Sequence, residues 1–266
     1  MGKIFAIANQ KGGVGKTTTT VSLSAAFGKL GMRVLVVDMD QQGNTTSGYG
    51  VNKRGLNATS YNILMGERRA QDAIVKTRFD DVYILPANTD LAGAELEMVD
   101  LENRALMLKK ALASVKGDFD YIFIDCPPSL GLITLNSLAA ADSLIIPMQC
   151  EFYSLEGLTQ LIETVKIVKQ RYNADIDVSG ILFTMYDQRL NVTGQVVSEV
   201  KKHLGNKAFN TVIPRNIRLS EAPSYGEPII YYDRVSKGAE AYMALALEIL
   251  EREKQLKKSK TKGGRA

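Results

Sequence analysis

What most restricts the folds open to this chain is the run over residues 4–20. An apolar segment at 4–8 is long enough for a buried strand. Three glycines follow within four residues, Gly12, Gly13 and Gly15, with Val14 between the last two. Lys16 and Thr17 then open a helical pattern in which Leu23, Ala26, Phe27 and Leu30 recur at i, i+3, i+4 and i+7. A strand that turns through glycines into a helix headed by Lys-Thr has the form of a phosphate-binding loop. The glycines let successive backbone N–H groups turn inward around an anion. The helix start adds about half a positive charge at the same point. Lys16 is then placed to reach the outer phosphates of a nucleotide, the Thr17 hydroxyl to sit on Mg²⁺, and Thr18 to continue the cradle.

Beyond the loop, short apolar runs alternate with helical stretches. Residues 34–37, 82–85, 121–124, 143–148, 178–184 and 208–213 read as strands, and 101–115, 155–172, 192–204 and 238–256 as helices. The segment from about 44 to 80 is more polar and irregular. The alternation predicts an α/β fold, a single doubly wound, mostly parallel sheet with helices on both faces. One domain is expected over residues 1–256, followed by a basic, disordered tail over 257–266. The net charge of +4 belongs to that end of the chain. Residues 252–266 hold seven Lys or Arg and one Glu, and the remainder 26 basic against 28 acidic residues. Charge alone therefore gives no reason for the folded body to bind nucleic acid. No stretch is long and apolar enough for a membrane span, no secretory signal precedes the first strand, and two cysteines, Cys126 and Cys150, suit a reducing cytoplasm.

Ligands of such sheets sit beyond the carboxyl ends of the strands. Three polar motifs fall there: the glycine loop, residues 38–44, and residues 125–129. Asp125 follows an apolar run and is followed by Pro127 and Pro128, the form of a carboxylate that holds a water on Mg²⁺ beside Thr17. Asp38 and Asp40 are alternate residues and point the same way on an extended chain. Two carboxylates beside a triphosphate repel it unless a cation intervenes, which assigns Asp38 to the Mg²⁺ neighbourhood. Asp40, one step further out, is the candidate that orients an attacking water.

The common phosphate loop has a glycine where this chain has Gln10, and this chain has a second lysine, Lys11, inside the loop. In this respect it resembles the deviant Walker A loop of the ParA/MinD group of ATPases. The likeness extends along nearly the whole chain and is greatest to the chromosomal ParA, or Soj, proteins, at residues 38–48, 91–95, 125–131, 155–158 and 213–223. It departs at Gln41, where the family usually has proline. A proline would stiffen that turn, but its loss removes no chemical group. The resemblance implies an ATPase with ATP and Mg²⁺ as cofactors and slow turnover in isolation. It implies that Lys11 crosses an ATP-dependent sandwich homodimer to the partner's phosphates, and that Lys16 and Asp40 complete the catalytic set. Pro214 and Asn216 match the segment that lines the adenine. Arg189 and Arg218 match positions of non-specific contact with double-stranded DNA, with Lys201, Lys202 and Lys207 between them. A ParB-type centromere-binding protein is the implied partner and stimulator, and the implied location is cytoplasmic and nucleoid-associated.

Two alternatives use the same fold. A MinD-like membrane ATPase needs a C-terminal amphipathic helix, whereas the only apolar residues after Leu250 are Leu256 and Ala266, so no stable membrane association is expected. A small-molecule ligase, or an iron–sulfur reductase subunit, needs a substrate pocket or cysteine ligands that these motifs do not supply. His203, the single histidine, is expected at a helix end rather than as a base. A chain that opens on its first strand is expected to lack a helix-turn-helix ahead of it, and so to read no DNA sequence.

Overall fold

The computed structural model describes residues 2–263. Its centre is a seven-stranded sheet in the order β3-β4-β2-β5-β1-β6-β7. The strands are β1 (Lys3–Ile7), β2 (Val34–Asp38), β3 (Val75–Lys76), β4 (Val82–Leu85), β5 (Tyr121–Asp125), β6 (Ser143–Gln149) and β7 (Asp177–Thr184). All neighbours are parallel except β3 and β4. Central strands covered on both faces read as unbroken apolar runs, and every residue of β2 is buried.

The helices are α1 (Lys16–Lys29), α2 (Asn44–Gly48), α3 (Ser60–Leu64), α4 (Ala70–Ala73), α5 (Leu91–Glu97), α6 (Met107–Ala113), α7 (Leu132–Ala140), α8 (Ser154–Arg171), α9 (Asn191–Leu204), α10 (Ile217–Glu221), α11 (Ile229–Tyr232) and α12 (Lys237–Gly263). Alternate residues of each strand point to opposite faces, and two cores result. Ile4, Ala6, Leu35, Ile122, Ile124 and Leu144 face Leu112, Leu138, Leu161 and Val168 of α6, α7 and α8. Phe5, Ile7, Val34, Val36 and Phe123 face Leu23 and Phe27 of α1 and Tyr242 and Leu245 of α12. This is the doubly wound arrangement expected from the alternation.

Three expectations shift. Residues 208–213 do not form a strand. They lie extended beside β7 and make isolated bridges at Ile181–Ala208 and Tyr186–Pro214. Phe209 N–H donates to Ile181 O at 2.9 Å and Ile213 N–H to Phe183 O at 2.8 Å, but the run departs from β7 between these points. The helix expected over 101–115 is shorter, a 3₁₀ turn at Arg104–Leu106 leading into α6. The C-terminal helix continues through Gly263, past the boundary expected at 256. Lys and Gln are good helix formers, and no proline or glycine interrupts the stretch before Gly263. Residues 264–266 of the expected tail lie outside the described residues.

Candidate nucleotide site

Strands β2, β5 and β1 are adjacent, so the three motifs at their carboxyl ends meet. Asp38 and Asp125 are direct register partners, and Ile7, where the glycine loop starts, pairs with Asp125 from the other side.

The loop is pinned from outside. Asn9 Nδ2 donates to Pro147 O at 2.8 Å, and Asn9 Oδ1 accepts from Lys11 N at 3.0 Å. Gln149 Nε2 donates to Gly13 O at 3.0 Å and Thr184 Oγ1 to Val14 O at 2.8 Å. With those carbonyls turned outward, no protein group among the described residues accepts from the backbone N–H of Gly12, Gly13, Val14, Gly15 or Lys16. Gly15 heads α1 at φ +88°, a conformation side chains disfavour. A Cβ placed on Gly12 or Gly13 would meet nothing within 4 Å. Unclaimed donors around an open hollow at a helix start form an anion cradle, and a nucleotide's phosphates fit it.

Lys16 is buried and its Nζ donates to Lys11 O at 3.1 Å, closing the hollow. Burial lowers its pKa, opposed by the negative charges of Asp125 and Asp40. Asp125 is wholly buried and accepts from three hydroxyls: Thr45 at 2.7 Å, Thr17 at 2.8 Å and Thr20 at 3.1 Å. Asp38 is wholly buried too. It accepts from Thr46 Oγ1 at 2.7 Å, Thr46 N at 2.8 Å and Asp40 N at 3.2 Å, and so holds the start of α2. Burial raises both carboxyls, Asp38 to about 7 with help from the Asp125 charge, and Asp125 to about 6 against the pull of its threonine donors. Such a pair beside a hydroxyl fits a divalent cation. Mg²⁺ keeps waters and phosphate oxygens as ligands and asks little of the protein, so a carboxylate beside a hydroxyl suffices for it. Asp40 is 8% exposed at the edge of this site. Its Oδ1 accepts from Gln42 N at 3.0 Å, with acceptor capacity to spare for a water.

Lys11 does not reach into its own hollow. Its ammonium pairs with Glu151, at the start of the turn after β6, and both are partly exposed. On the other side of the loop a cavity of about 300 Å³ is lined by Gly15, Thr18, Thr184, Met185, Pro214 and Asn216. Asn216 also caps α10, its Oδ1 accepting from Arg218 N at 2.8 Å. Arg189 and Arg218 are exposed but not bare. Arg189 forks onto Asp187 at 2.9 and 2.6 Å, and Arg218 meets Glu221 at 2.9 Å and Asp233 at 3.4 Å. Lys207 is tied to Asp177 at 2.6 Å and Lys202 lies 3.8 Å from Glu199, so the basic run between the arginines is partly neutralised. His203 sits in the last turn of α9, bonded to Glu199 at 2.7 Å. Both cysteines are buried, and burial pushes their thiols up, Cys126 to about 12 and Cys150 to about 11.

Sequence reasoning did not find Thr20, Thr45, Thr46, Gln149, Glu151 or Thr184. The run of four threonines at 17–20 and the Thr45–Thr46 pair after Asn44 carried a faint signal. Gln149, Glu151 and Thr184 carried none.

A family model described as an AAA domain matches residues 2–178. The chain is 53% identical to the sporulation initiation inhibitor protein Soj of Bacillus subtilis, over 94% of this chain and 98% of that one. It is 49% identical to the chromosome partitioning protein ParA of Myxococcus xanthus, over 95% and 89% of the two chains. Among solved structures, it resembles cobyrinic acid a,c-diamide synthase of Mycobacterium smegmatis with bound ATP analog and magnesium. The TM-score there is 0.84 at 38% identity, over 96% of each chain. It also resembles the septum site-determining protein MinD of Pyrococcus horikoshii complexed with Mg-ADP, with a TM-score of 0.78 at 30% identity over 94% and 96% of the chains. Among the described residues no helix is long and apolar enough to cross a membrane.

Proposed function

The chain belongs to the ParA/Soj family of partitioning ATPases, and from that premise we propose that it is an ATP-driven DNA-segregation switch. It is a P-loop ATP hydrolase with ATP and Mg²⁺ as cofactors. In our reading ATP closes a sandwich dimer, the dimer binds double-stranded DNA without reading sequence, and hydrolysis releases it. A ParB-type partner stimulates that step, and the protein is cytoplasmic and held on the nucleoid.

The loop's N–H groups and Lys16 take the β- and γ-phosphates, and Thr17 and Asp125 would hold the cation with Asp38 beside them. Bound Mg²⁺ supplies charge neutralisation at the phosphate oxygens. Asp38 keeps α2 and the adjoining Asp40 turn in place through Thr46, and Asp40 orients the water. Phosphoryl transfer is mostly positioning and electrostatics, and these residues supply both. Pro214 and Asn216 border the base cavity.

The observation that carries the dimer reading is the placement of Lys11. Lys16 alone closes the phosphate hollow, while Lys11 stands at its rim with a partly exposed carboxylate as its counter-ion. That is where a second molecule's phosphates arrive. Arg189 and Arg218 lie exposed on the side of the β7 edge and α10, the surface we assign to DNA. The likeness to the diamide synthase supports an ATP-using fold, but at lower identity than the partitioning relatives, and the partitioning reading stands ahead of a small-molecule ligase.

The test is retention on DNA of arbitrary sequence with ATP, with ADP and without nucleotide, alongside Asp40→Ala. Retention is expected only with ATP, and it should persist in Asp40→Ala because release requires hydrolysis. Equal retention in all three nucleotide states would overturn the switch.

A further inference from the structure

Two aromatic rings stand uncovered at the rim of the phosphate-binding loop. After β6 the chain turns into α8, and this turn exposes Phe152 and Tyr153 at 73% and 79%. The other seven phenylalanines of the chain are at most 6% exposed. The backbone of the turn is tied by Ser154 N to Glu151 O at 3.0 Å and Leu155 N to Phe152 O at 3.2 Å. They meet edge to face with centroids 6.0 Å apart. Tyr153 also walls a hollow of about 580 Å³ shared with Asn9, Gln10, Lys11, Pro128 and Ser129, which joins the glycine loop to the turn after β5. Side chains of this kind bury about 150–250 Å² each when covered, and uncovered pairs mark contact surfaces.

The charges beside the rings select the occupant. Lys11 and Glu151 form one partly exposed pair, 36% and 55% open, and Glu156 adds a second exposed carboxylate on the same hollow. A net negative rim disfavours a nucleic-acid backbone or an anionic lipid surface. A positive and a negative group side by side are, in contrast, complementary to their own copy turned by a two-fold axis. Resting on the sandwich-dimer reading above, we infer that Phe152 and Tyr153 are the apolar anchor of the interface between two copies of this chain. The rings provide the desolvated centre of the contact. Lys11 thereby exchanges its own Glu151 for the Glu151 of the second copy, so the charge pair is re-formed across the axis at the edge of the second copy's phosphates.

The test uses the full chain with Phe152→Ser, Tyr153→Ser and the double variant. Sedimentation with ATP and Mg²⁺ measures dimerisation, and a fluorescent ATP analogue measures nucleotide binding by each protein. Nucleotide binding is expected within twofold of wild type, and the dimer Kd is expected to rise at least tenfold in the double variant. Tyr153→Phe should dimerise as wild type does. A wild-type dimer matched by an equal Kd in the double variant overturns this proposal and leaves the sandwich reading intact. A wild type that binds ATP and stays single sinks both. Loss of nucleotide binding in the double variant would place the rings inside the protomer's own site, against the proposal. So would flotation of wild type, but not of the double variant, with phosphatidylglycerol–phosphatidylethanolamine vesicles while dimerisation is unchanged.

Discussion

Glu248 lies on α12, yet its removal is expected to weaken the nucleotide's base site. Its carboxylate accepts from Asn210 N at 2.8 Å and Thr211 N at 2.9 Å. Arg252, one turn on, donates to Glu248 Oε1 and to Ala208 O, both at 2.7 Å, and lies 4.6 Å from the Phe209 ring centroid. Phe209 fills a slot over β7 that exists because residue 180 is glycine, where a Cβ would stand 2.4 Å from the ring. The clamped segment runs straight into Pro214 and Asn216. Burial pushes the Glu248 carboxyl up, but the two backbone donors hold it below its usual value, so both bonds act on the charged form. Hydrogen bonds to a charged group contribute about 1.5–3 kcal/mol each. The N–H of exposed Asn210 can turn to water, which brings the loss in Glu248→Ala to about 3 kcal/mol. At roughly 2–4 °C per kcal/mol the Tm should fall by about 6–12 °C. If that energy holds the base segment in place, the Kd for ATP and ADP rises by about five- to a hundredfold, the upper bound being 1.4 kcal/mol per decade. Inorganic tripolyphosphate, which has no base, should bind unchanged. Calorimetry or competition with a fluorescent nucleotide reads all three ligands. An unchanged ATP affinity beside a lowered Tm would refute the link between α12 and the base site. Equal losses for ATP and tripolyphosphate would show general loosening instead.

Lys11→Ala should abolish ATP-induced dimers in sedimentation while ATP binding persists; unchanged dimers would count against a role across the interface. Arg189→Ala or Arg218→Ala should weaken DNA retention without altering basal turnover. The fork onto Asp187, which holds that carboxyl down at about 2, makes the converse visible, since Asp187→Asn releases Arg189 and should strengthen retention at moderate salt. Equal retardation by all three variants and wild type would sink the assignment. Without nucleotide, Asp38 and Asp125 carry raised values of about 7 and about 6, above the unfolded 3.8, so the native state binds more protons than the unfolded chain across that window. Stability from this pair is therefore present at low pH and lost as pH rises from about 4 to 7. A thermal midpoint followed from pH 5 to 8 should fall, and Asp38→Asn should flatten the fall; a midpoint that rises with pH would reverse the account.

Local chemistry determined much of this protein from the sequence alone. Unbroken apolar runs can be satisfied only by strands covered on both faces, and a glycine loop opening on Lys16 and Thr17 needs only short-range backbone freedom to become an anion cradle. Asp125 and Asp38 could be placed at strand ends for the same reason. What converges on them could not, because Thr17 and Thr45 reach Asp125 across sequence separations of 108 and 80 residues, and only the strand order β2-β5-β1 brings them together. The same holds for Lys11 and Glu151, which stand 140 residues apart. Residues 208–213 have a strand's composition and lack a strand's pairing, since the clamp from α12 and the slot at Gly180 decide where they lie. Periodicity is a property of neighbours along the chain, whereas partners for buried charge are chosen by whichever elements the packed sheet sets side by side.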